Sequence, residues 1–423
     1  MNKQKVWKET KLQDICIFKT GKLNSNAAVV NGKYPFFTCS PEILKINSYS
    51  FDTEAVLLAG NNADGKFNVK LYKGKFDAYQ RTYVINANEN NAIINKYLYY
   101  ALWLQLNYLK DVSMGTATKF LTMSILNNIK LPLPPLPEQR AISEILSSID
   151  DKIELNNQMN RTLEAMAQAI FKQWFVDFKY PTSSTLPLSK GEMSRSDRGG
   201  GKMIDSELGP IPEGWRVSTI GEICDVIDCL HSKKPVKQEY VTGKVLLQLD
   251  NILDNGLLDR TKLYWISDED YNLWISRIEV QKGDCLITNV GRSGAVAQIP
   301  SSFKAALGRN MTAIRCKNDF NFPTFLIQLL LSEYLKAEIN SKLDAGTILN
   351  SLNVRNIPKL RFIRPPEVHV QQFEKVLRPI RERMEENLSE SQTLSALRDS
   401  LLPKLMSGEL RVPEEIVKRY ENV

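Results

Sequence analysis

Histidine is almost missing from this chain. His231 and His369 are the two in 423 residues, so acid–base chemistry by imidazole is scarcely available. The six cysteines (Cys16, Cys39, Cys224, Cys229, Cys285, Cys316) form no Cys-x-x-Cys pair and no framework spacing. That excludes a disulfide scaffold, argues against a structural zinc site and points to a reducing, cytoplasmic setting. No apolar run approaches the roughly 18 residues a membrane span needs; the longest candidate, Phe325 to Leu331, is far shorter. The start, Met1-Asn2-Lys3-Gln4-Lys5-Val6-Trp7, has no apolar core of a secretory signal. No Gly-(x)4-Gly-Lys-Ser/Thr loop occurs, and Gly199-Gly200-Gly201-Lys202 follows no strand pattern and precedes no helix pattern, so no nucleotide-driven motor is visible. The expectation is a chain without catalytic centre, cofactor, metal or membrane segment.

What remains is an ordinary globular composition, 43% hydrophobic and 24% charged, in a chain long enough for two domains. The charge is unevenly placed. Residues 1–135 carry a balance of +8 and residues 214–366 a balance of +4, while 136–180 and 367–423 stand at −2 each and 181–213 at −1. Two basic blocks separated by mildly acidic ones fit a polyanion held at two places.

The chain also repeats itself. Leu133-Pro134-Pro135 and Arg364-Pro365-Pro366, 231 residues apart, each precede a long helical pattern; proline suits a first helical turn and cannot continue a preceding one. With Ile142 at a heptad a position, the a series reads Ile142, Ile149, Asn156, Leu163, Ile170. The same offset gives Phe373, Ile380, Asn387, Leu394, Leu401, and the flanking Ile145, Leu146 and Met166 match Val376, Leu377 and Leu397. A lone Asn in an apolar seam sets register at some cost in stability. Asn156 and Asn387 occupy that place in both copies, so the pattern predicts two antiparallel helices related by a pseudo-two-fold, with these residues meeting near the midpoint. From Ile142 to Asp177 such a helix spans about 52 Å.

The basic blocks repeat as well. Trp7, Leu12 and Ile15 match Trp215, Ile220 and Ile223 at an offset of 208. Val56-Leu57-Leu58 with Gly65 matches Cys285-Leu286-Ile287 with Gly294 at 229, and at that offset Gln80-Arg81 before Thr82–Ile85 matches Arg309-Asn310 before Met311–Ile314. These are short strands running into turns. Helical stretches follow (Tyr97 to Leu106; Phe325 to Leu335), then Gly115-Thr116 and Gly346-Thr347 at 231. Trp103, Trp265 and Trp274 are assigned to cores. The Ser/Gly-rich stretch 181–213 reads as a flexible linker. The fold expected is α+β: two globular domains in pseudo-two-fold repeat, 1–135 and 214–366, separated by two long antiparallel coiled-coil helices, 136–180 and 367–412, with a tail at 413–423.

Here the motifs become specific. The run Leu131-Pro-Leu-Pro-Pro-Leu-Pro-Glu-Gln-Arg140 before a long helix resembles the central conserved region of the specificity subunits of type I restriction-modification systems. So do Ile211-Pro-Glu-Gly-Trp215, Gly283-Asp-Cys-Leu-Ile287 and the closing Leu401-Leu-Pro-Lys-Leu-Met-Ser-Gly-Glu-Leu410, and the resemblance runs from about residue 7 to 412. The second copy departs at Pro366, which is followed by Glu-Val-His-Val-Gln-Gln372 without the arginine found at 140. The resemblance implies a sequence-specific DNA-binding subunit whose two target recognition domains each read one half of a bipartite, asymmetric site. It also implies that the helices set the spacer and dock two methyltransferase subunits, with restriction–translocase subunits joining the complex.

Loops on such a scaffold carry the contacts, and Arg, Lys, Asn and Gln are the usual readers of base edges and phosphates. The candidate DNA-binding residues are Asn61, Asn62, Lys66, Gln80, Arg81 and Lys119 in the first domain. In the second they are Lys233, Lys234, Asn289, Arg292, Ser293, Arg309 and Asn310. Two other readings stay open. A protein-binding scaffold would bind without salt sensitivity. A fused methyltransferase would show a glycine-rich cofactor loop and an Asn/Asp-Pro-Pro-aromatic motif, whereas Pro134-Pro135 follows Leu133 and Pro365-Pro366 follows Arg364. An endonuclease site of carboxylates is a short, degenerate pattern, and nothing in the sequence demands one.

Overall fold

A computed structural model describes residues 7–90, 92–180, 202–301, 303–344 and 350–421. Most of the expected linker (181–201, with Gly199-Gly200-Gly201) and the Gly346-Thr347 pair lie outside the described residues. The chain forms two compact α+β units: one takes the residues up to Ile153 and those from Thr393 on, the other Glu154–Gln392. Helix Leu136–Phe175 and helix Glu367–Ser407 each contribute to both. No helix among the described residues is long and apolar enough to cross a membrane.

In the first unit a six-stranded sheet has the order Cys16–Thr20, Thr82–Ala87, Phe51–Ala59, Val69–Ala78, Tyr34–Phe37, Leu44–Ile46. Its pairs are antiparallel except for Tyr34–Phe37 with Val69–Ala78. Side chains alternate along a strand. Val56, Leu58 and Ile85 therefore face helices Asn95–Leu104 and Leu106–Val112, while Ala55, Leu57 and Val84 face Phe37 and Phe76. Leu402, Leu405, Met406 and Val412 complete the first of these cores, and Ile416, Val417 and Tyr420 pack against it. Arg411 ties this closing segment down, lying 4.5 Å over the Trp7 ring and pairing with Glu138 at 3.0 Å.

The second unit repeats the plan with a smaller antiparallel sheet, ordered Cys224–Asp228, Met311–Cys316, Cys285–Thr288, Val296–Gln298. Cys285, Ile287 and Ile314 face helices Pro323–Leu331 and Glu333–Ser341; Leu286 and Ala313 face a second core with Val245, Leu247 and Val280. Both units open with the same strand–short helix–strand unit. Lys8–Lys11 leads into Leu12–Ile15, and Arg216–Thr219 into Ile220–Ile223. Each opening strand pairs with the strand that precedes a long helix, Lys130–Leu133 or Arg361–Arg364. Of the tryptophans assigned to cores, Trp274 is buried, Trp265 is half-buried, and Trp103 is half-buried with the Arg398 guanidinium 4.3 Å over its ring. Within the stretch expected as linker, Met203–Ile204 pairs with Ile211–Pro212, because Ile211 finds the aromatic cluster of Trp215 and Phe175 to bury itself in.

The Glu-Gln pair at the first helix start has a visible job. Buried Gln139 accepts from the Ile94 N–H (3.0 Å) and donates to Ala92 O and Pro134 O (2.9 Å each), fixing the start of helix Asn95–Leu104 on the long helix. The second copy has Val370 at the equivalent place. One turn later its buried Glu374 accepts from the N–H groups of Thr324 (3.3 Å) and Phe325 (3.0 Å) at the start of helix Pro323–Leu331. A carboxylate suits the positive end of a helix. The second copy thus replaces Gln139 by a different residue one turn on, with the helix start still held.

Within the second unit the long helices run antiparallel: Asn156 faces Asn387 and Glu390, and Phe171 faces Phe373 at 5.8 Å between ring centres. Asn156 and Asn387 are 0% and 1% exposed. Asn156 Nδ2 donates to Glu390 Oε2 (2.8 Å) and to Asn387 O (3.4 Å), while Asn387 Nδ2 donates to Asn160 Oδ1 (2.9 Å). Asn160 in turn donates to Met384 O at 3.0 Å, so the polar layer has three asparagines and is asymmetric. The side-chain oxygens Oδ1 of Asn156 and Asn387 are buried without a hydrogen-bond partner among the described residues. Replacing Asn156, Asn160 and Asn387 together by Leu is expected to stabilise the second unit by about 1–3 kcal/mol, because orphaned buried carbonyls are removed, and to permit slipped helix registers. Urea unfolding and cysteine cross-linking between the helices measure both; lower stability with a fixed register contradicts the assignment.

Candidate nucleic-acid interface

All six first-domain candidates gather at one edge of the first sheet. Asn61 and Asn62 form a short strand paired with Lys119–Phe120, placing Asn62 opposite Lys119. The Asn62 side-chain oxygen accepts from the N–H groups of Asp64 (2.9 Å) and Lys66 (3.3 Å), which closes the turn that presents Lys66. Gly65 has φ +69°, and a Cβ there would meet the Cγ atoms of Lys110 at 3.1 Å and Lys119 at 3.3 Å. A glycine at this point lets two lysine stems converge on the turn. Two backbone bonds hold the edge together: Gly60 N–H to Arg81 O (2.8 Å) and Leu121 N–H to Gly60 O (2.8 Å). Arg81 and Gln80 are exposed, with Gln80 donating to Asn24 Oδ1 at 2.9 Å. Lys70, beneath the edge, donates to Ser40 O and Asn68, and burial holds its ammonium below the usual lysine range; it is a structural lysine.

The second unit builds the same junction. Asn289 N–H donates to Asn310 O (2.7 Å) and Leu352 N–H to Asn289 O (2.8 Å), the bonds of Gly60 with Arg81 and Leu121 at offsets of 229 and 231. Lys234, Arg309 and Asn310 line one cavity of about 310 Å³ together with Gln248 and Asp250. Lys234 lies 4.4 Å over the Tyr264 ring, and Lys233 beside it is exposed. Asn310 adopts φ +63°, a left-handed conformation that asparagine tolerates better than most residues. Arg292 and Ser293 line a second cavity of about 640 Å³ with Lys336 and Asn340. Arg292 donates to Ile252 O (2.7 Å) and pairs with Asp254; Ser293 donates to Asn289 O (3.0 Å) and Asn350 O (2.7 Å).

Asn289 corrects the expectation for that residue. It is 7% exposed, its amide donates to Leu352 O (3.1 Å), and its carbonyl accepts from the Thr312 hydroxyl (3.0 Å). Its polar atoms are used inside the junction, so it orders the loops instead of facing a ligand. Lys110, which stands with Lys119 at the Gly65 turn, and Lys336, which stands with Arg292, carry no turn signal because they lie on helices.

Known proteins share much of this sequence and fold. The family profile described as the type I restriction modification DNA specificity domain matches residues 4–165. The chain is 27% identical over 382 residues to the EcoDI type I restriction enzyme specificity subunit of Escherichia coli, covering 85% of this chain and 78% of the relative. It is 29% identical over 342 residues to the MjaIX specificity subunit of Methanocaldococcus jannaschii, covering 78% and 72%. In fold it resembles the crystal structure of a type I restriction-modification S subunit from M. genitalium, with a TM-score of 0.63 and 16% identity over 96% of this chain and 98% of that one. With the repeated motifs and the paired helices, these matches make the chain similar to the specificity subunits of type I restriction-modification systems.

Proposed function

We propose that this subunit reads a split, asymmetric double-stranded DNA target, with domain 1–135 recognising one half and domain 214–366 the other. The observation that carries this reading is the repeated junction. The same pair of backbone bonds organises Gly60, Arg81 and Leu121 in one unit and Asn289, Asn310 and Leu352 in the other, with basic side chains around each. Two non-identical units specify two different half-sites, whereas a homodimer would read a palindrome. The helices over 136–180 and 367–412 set the spacing between halves and dock two methyltransferase subunits. Met166 (47% exposed) and Leu397 (46% exposed) support the docking role, as apolar residues left open at equivalent places on the two helices. The chain is itself no catalyst; methylation and cleavage belong to its partners, the restriction–translocase subunits joining the same cytoplasmic complex.

Co-expression with the methyltransferase subunit in a methylation-free host, followed by modification-sensitive sequencing, tests this. One split, asymmetric motif methylated in both halves is the expected result. An unmodified genome with the complex assembled would favour the scaffold reading.

A further inference from the structure

The strand Cys224–Asp228 ends at Asp228, and Cys229-Leu230-His231 start the loop that carries Lys233 and Lys234. One ligand atom each from Asp228, Cys229 and His231 lies within 4.8 Å of the others. His231 Nε2 is 2.8 Å from Asp228 Oδ2, and the His231 side chain is 62% exposed, so it forms the open side of the group. Cys229 is 1% exposed and forms its floor. A second observation points to a ligand: the other carboxylate oxygen, Asp228 Oδ1, is buried and has no hydrogen-bond partner among the described residues. A buried carboxylate oxygen without a donor is costly.

We propose that Asp228, Cys229 and His231 form a binding site for a zinc-class divalent ion. Mixed sulfur, nitrogen and oxygen donors suit a borderline-soft ion that accepts four ligands; three from the protein leave the fourth position to water on the exposed His231 side. Donor atoms around one tetrahedral zinc stand about 3.5 Å apart, so the group closes by a rotation of the exposed imidazole. Binding displaces the Cys229 thiol proton to solvent and uses Nε2 of a neutral imidazole. The Asp228 Oδ2 atom stays with Arg277, whose Nη1 is 3.7 Å away and also donates to Cys229 O at 3.0 Å. The guanidinium beside the carboxylate opposes cation binding and limits the affinity. Burial pushes the Cys229 thiol above its ordinary range and the Asp228 carboxylate adds to this, while the backbone N–H groups of Met311 and Asn310 act the other way. An ion here would pin the start of the Lys233–Lys234 loop against the Arg309–Asn310 turn, ordering two sets of basic side chains together. An Asp-Cys-x-His group carries no paired-cysteine signature, since one short stretch of chain supplies all three ligands.

The test uses the full chain purified without a histidine tag, stripped with chelator and titrated with cobalt(II) as the optical probe, then with zinc in competition. The expected result is one cobalt per chain with a thiolate-to-cobalt charge-transfer band, displaced by zinc. Cys229→Ser is expected to abolish the band, and His231→Ala, a change at an exposed side chain that leaves the fold intact, to weaken binding at least about tenfold. No band in the unaltered chain, a band that survives Cys229→Ser, or an affinity unchanged by His231→Ala overturns the proposal.

Discussion

Phe373→Ala is expected to cost about 3–5 kcal/mol and to open the second unit while leaving the first folded. Phe373 is fully buried on the second long helix, with Phe175 4.9 Å, Trp174 5.7 Å, Phe171 5.8 Å and Phe325 6.1 Å from its ring centre. Three of these partners come from the first long helix and one from helix Pro323–Leu331, so a single ring joins both long helices to the core beneath the second sheet. Truncation removes the transfer energy of the ring and leaves a cavity that the surrounding aromatics on two other helices cannot all collapse into. Hydrogen exchange should show lost protection in Cys285–Thr288, Met311–Cys316 and Pro323–Leu331, with the first sheet unchanged. Ile17→Ala, at a position 44% exposed, is the matched control and should change stability by less than about 0.5 kcal/mol. A loss below about 1 kcal/mol for Phe373→Ala would mean that the helix pair does not depend on this cluster.

The second large effect concerns DNA. Replacing Lys66 and Lys119 together by Ala should lower affinity for every duplex and reduce the slope of log K against log salt by up to about 1.8, since each lost phosphate contact removes about 0.9. These residues stand on one edge organised by Gly60, Leu121 and the Gly65 turn, and neither forms part of the sheet core. Salt titration of duplex binding measures the slope. An unchanged slope with relaxed sequence preference would move these side chains from phosphate contact to base reading, where each pair is worth about 1–3 kcal/mol of discrimination. An unchanged slope and unchanged preference would remove them from the interface.

Much of this was legible in the sequence because repetition turns weak local signals into strong ones. A single Trp7, or a single Leu-Pro-Pro, says little. Their recurrence at Trp215 and Arg364-Pro-Pro, in the same order, fixed the repeated architecture before any contact was seen. The drift of the offset from 208 to 229 also has a structural meaning. The second unit has extra chain between Trp215 and Cys285, and it uses it for the additional cores around Val245, Leu247 and Trp274. What stayed hidden depends on tertiary contact. Asn160 enters the polar layer only because Asn387 reaches along the helix instead of straight across it. Glu374 takes over the role of Gln139 from one turn further on, a substitution that an alignment by position cannot show. Asn289 looked like a loop residue suited to adenine, and burial alone reassigns it to structure. The Asp228-Cys229-x-His231 group is contiguous in sequence, yet the orphaned Asp228 oxygen that makes it interesting is a fact of packing.

The central claim is that each unit reads its own half of one target. The most direct measurement maps genomic methylation by the complex carrying Arg309→Ala with Asn310→Gly, and separately by the complex carrying Gln80→Ala with Arg81→Ala. The account predicts that each pair of changes relaxes one half of the motif, a different half in each case, with the other half and the spacing retained. Relaxation of both halves by either pair, or of neither, would contradict it.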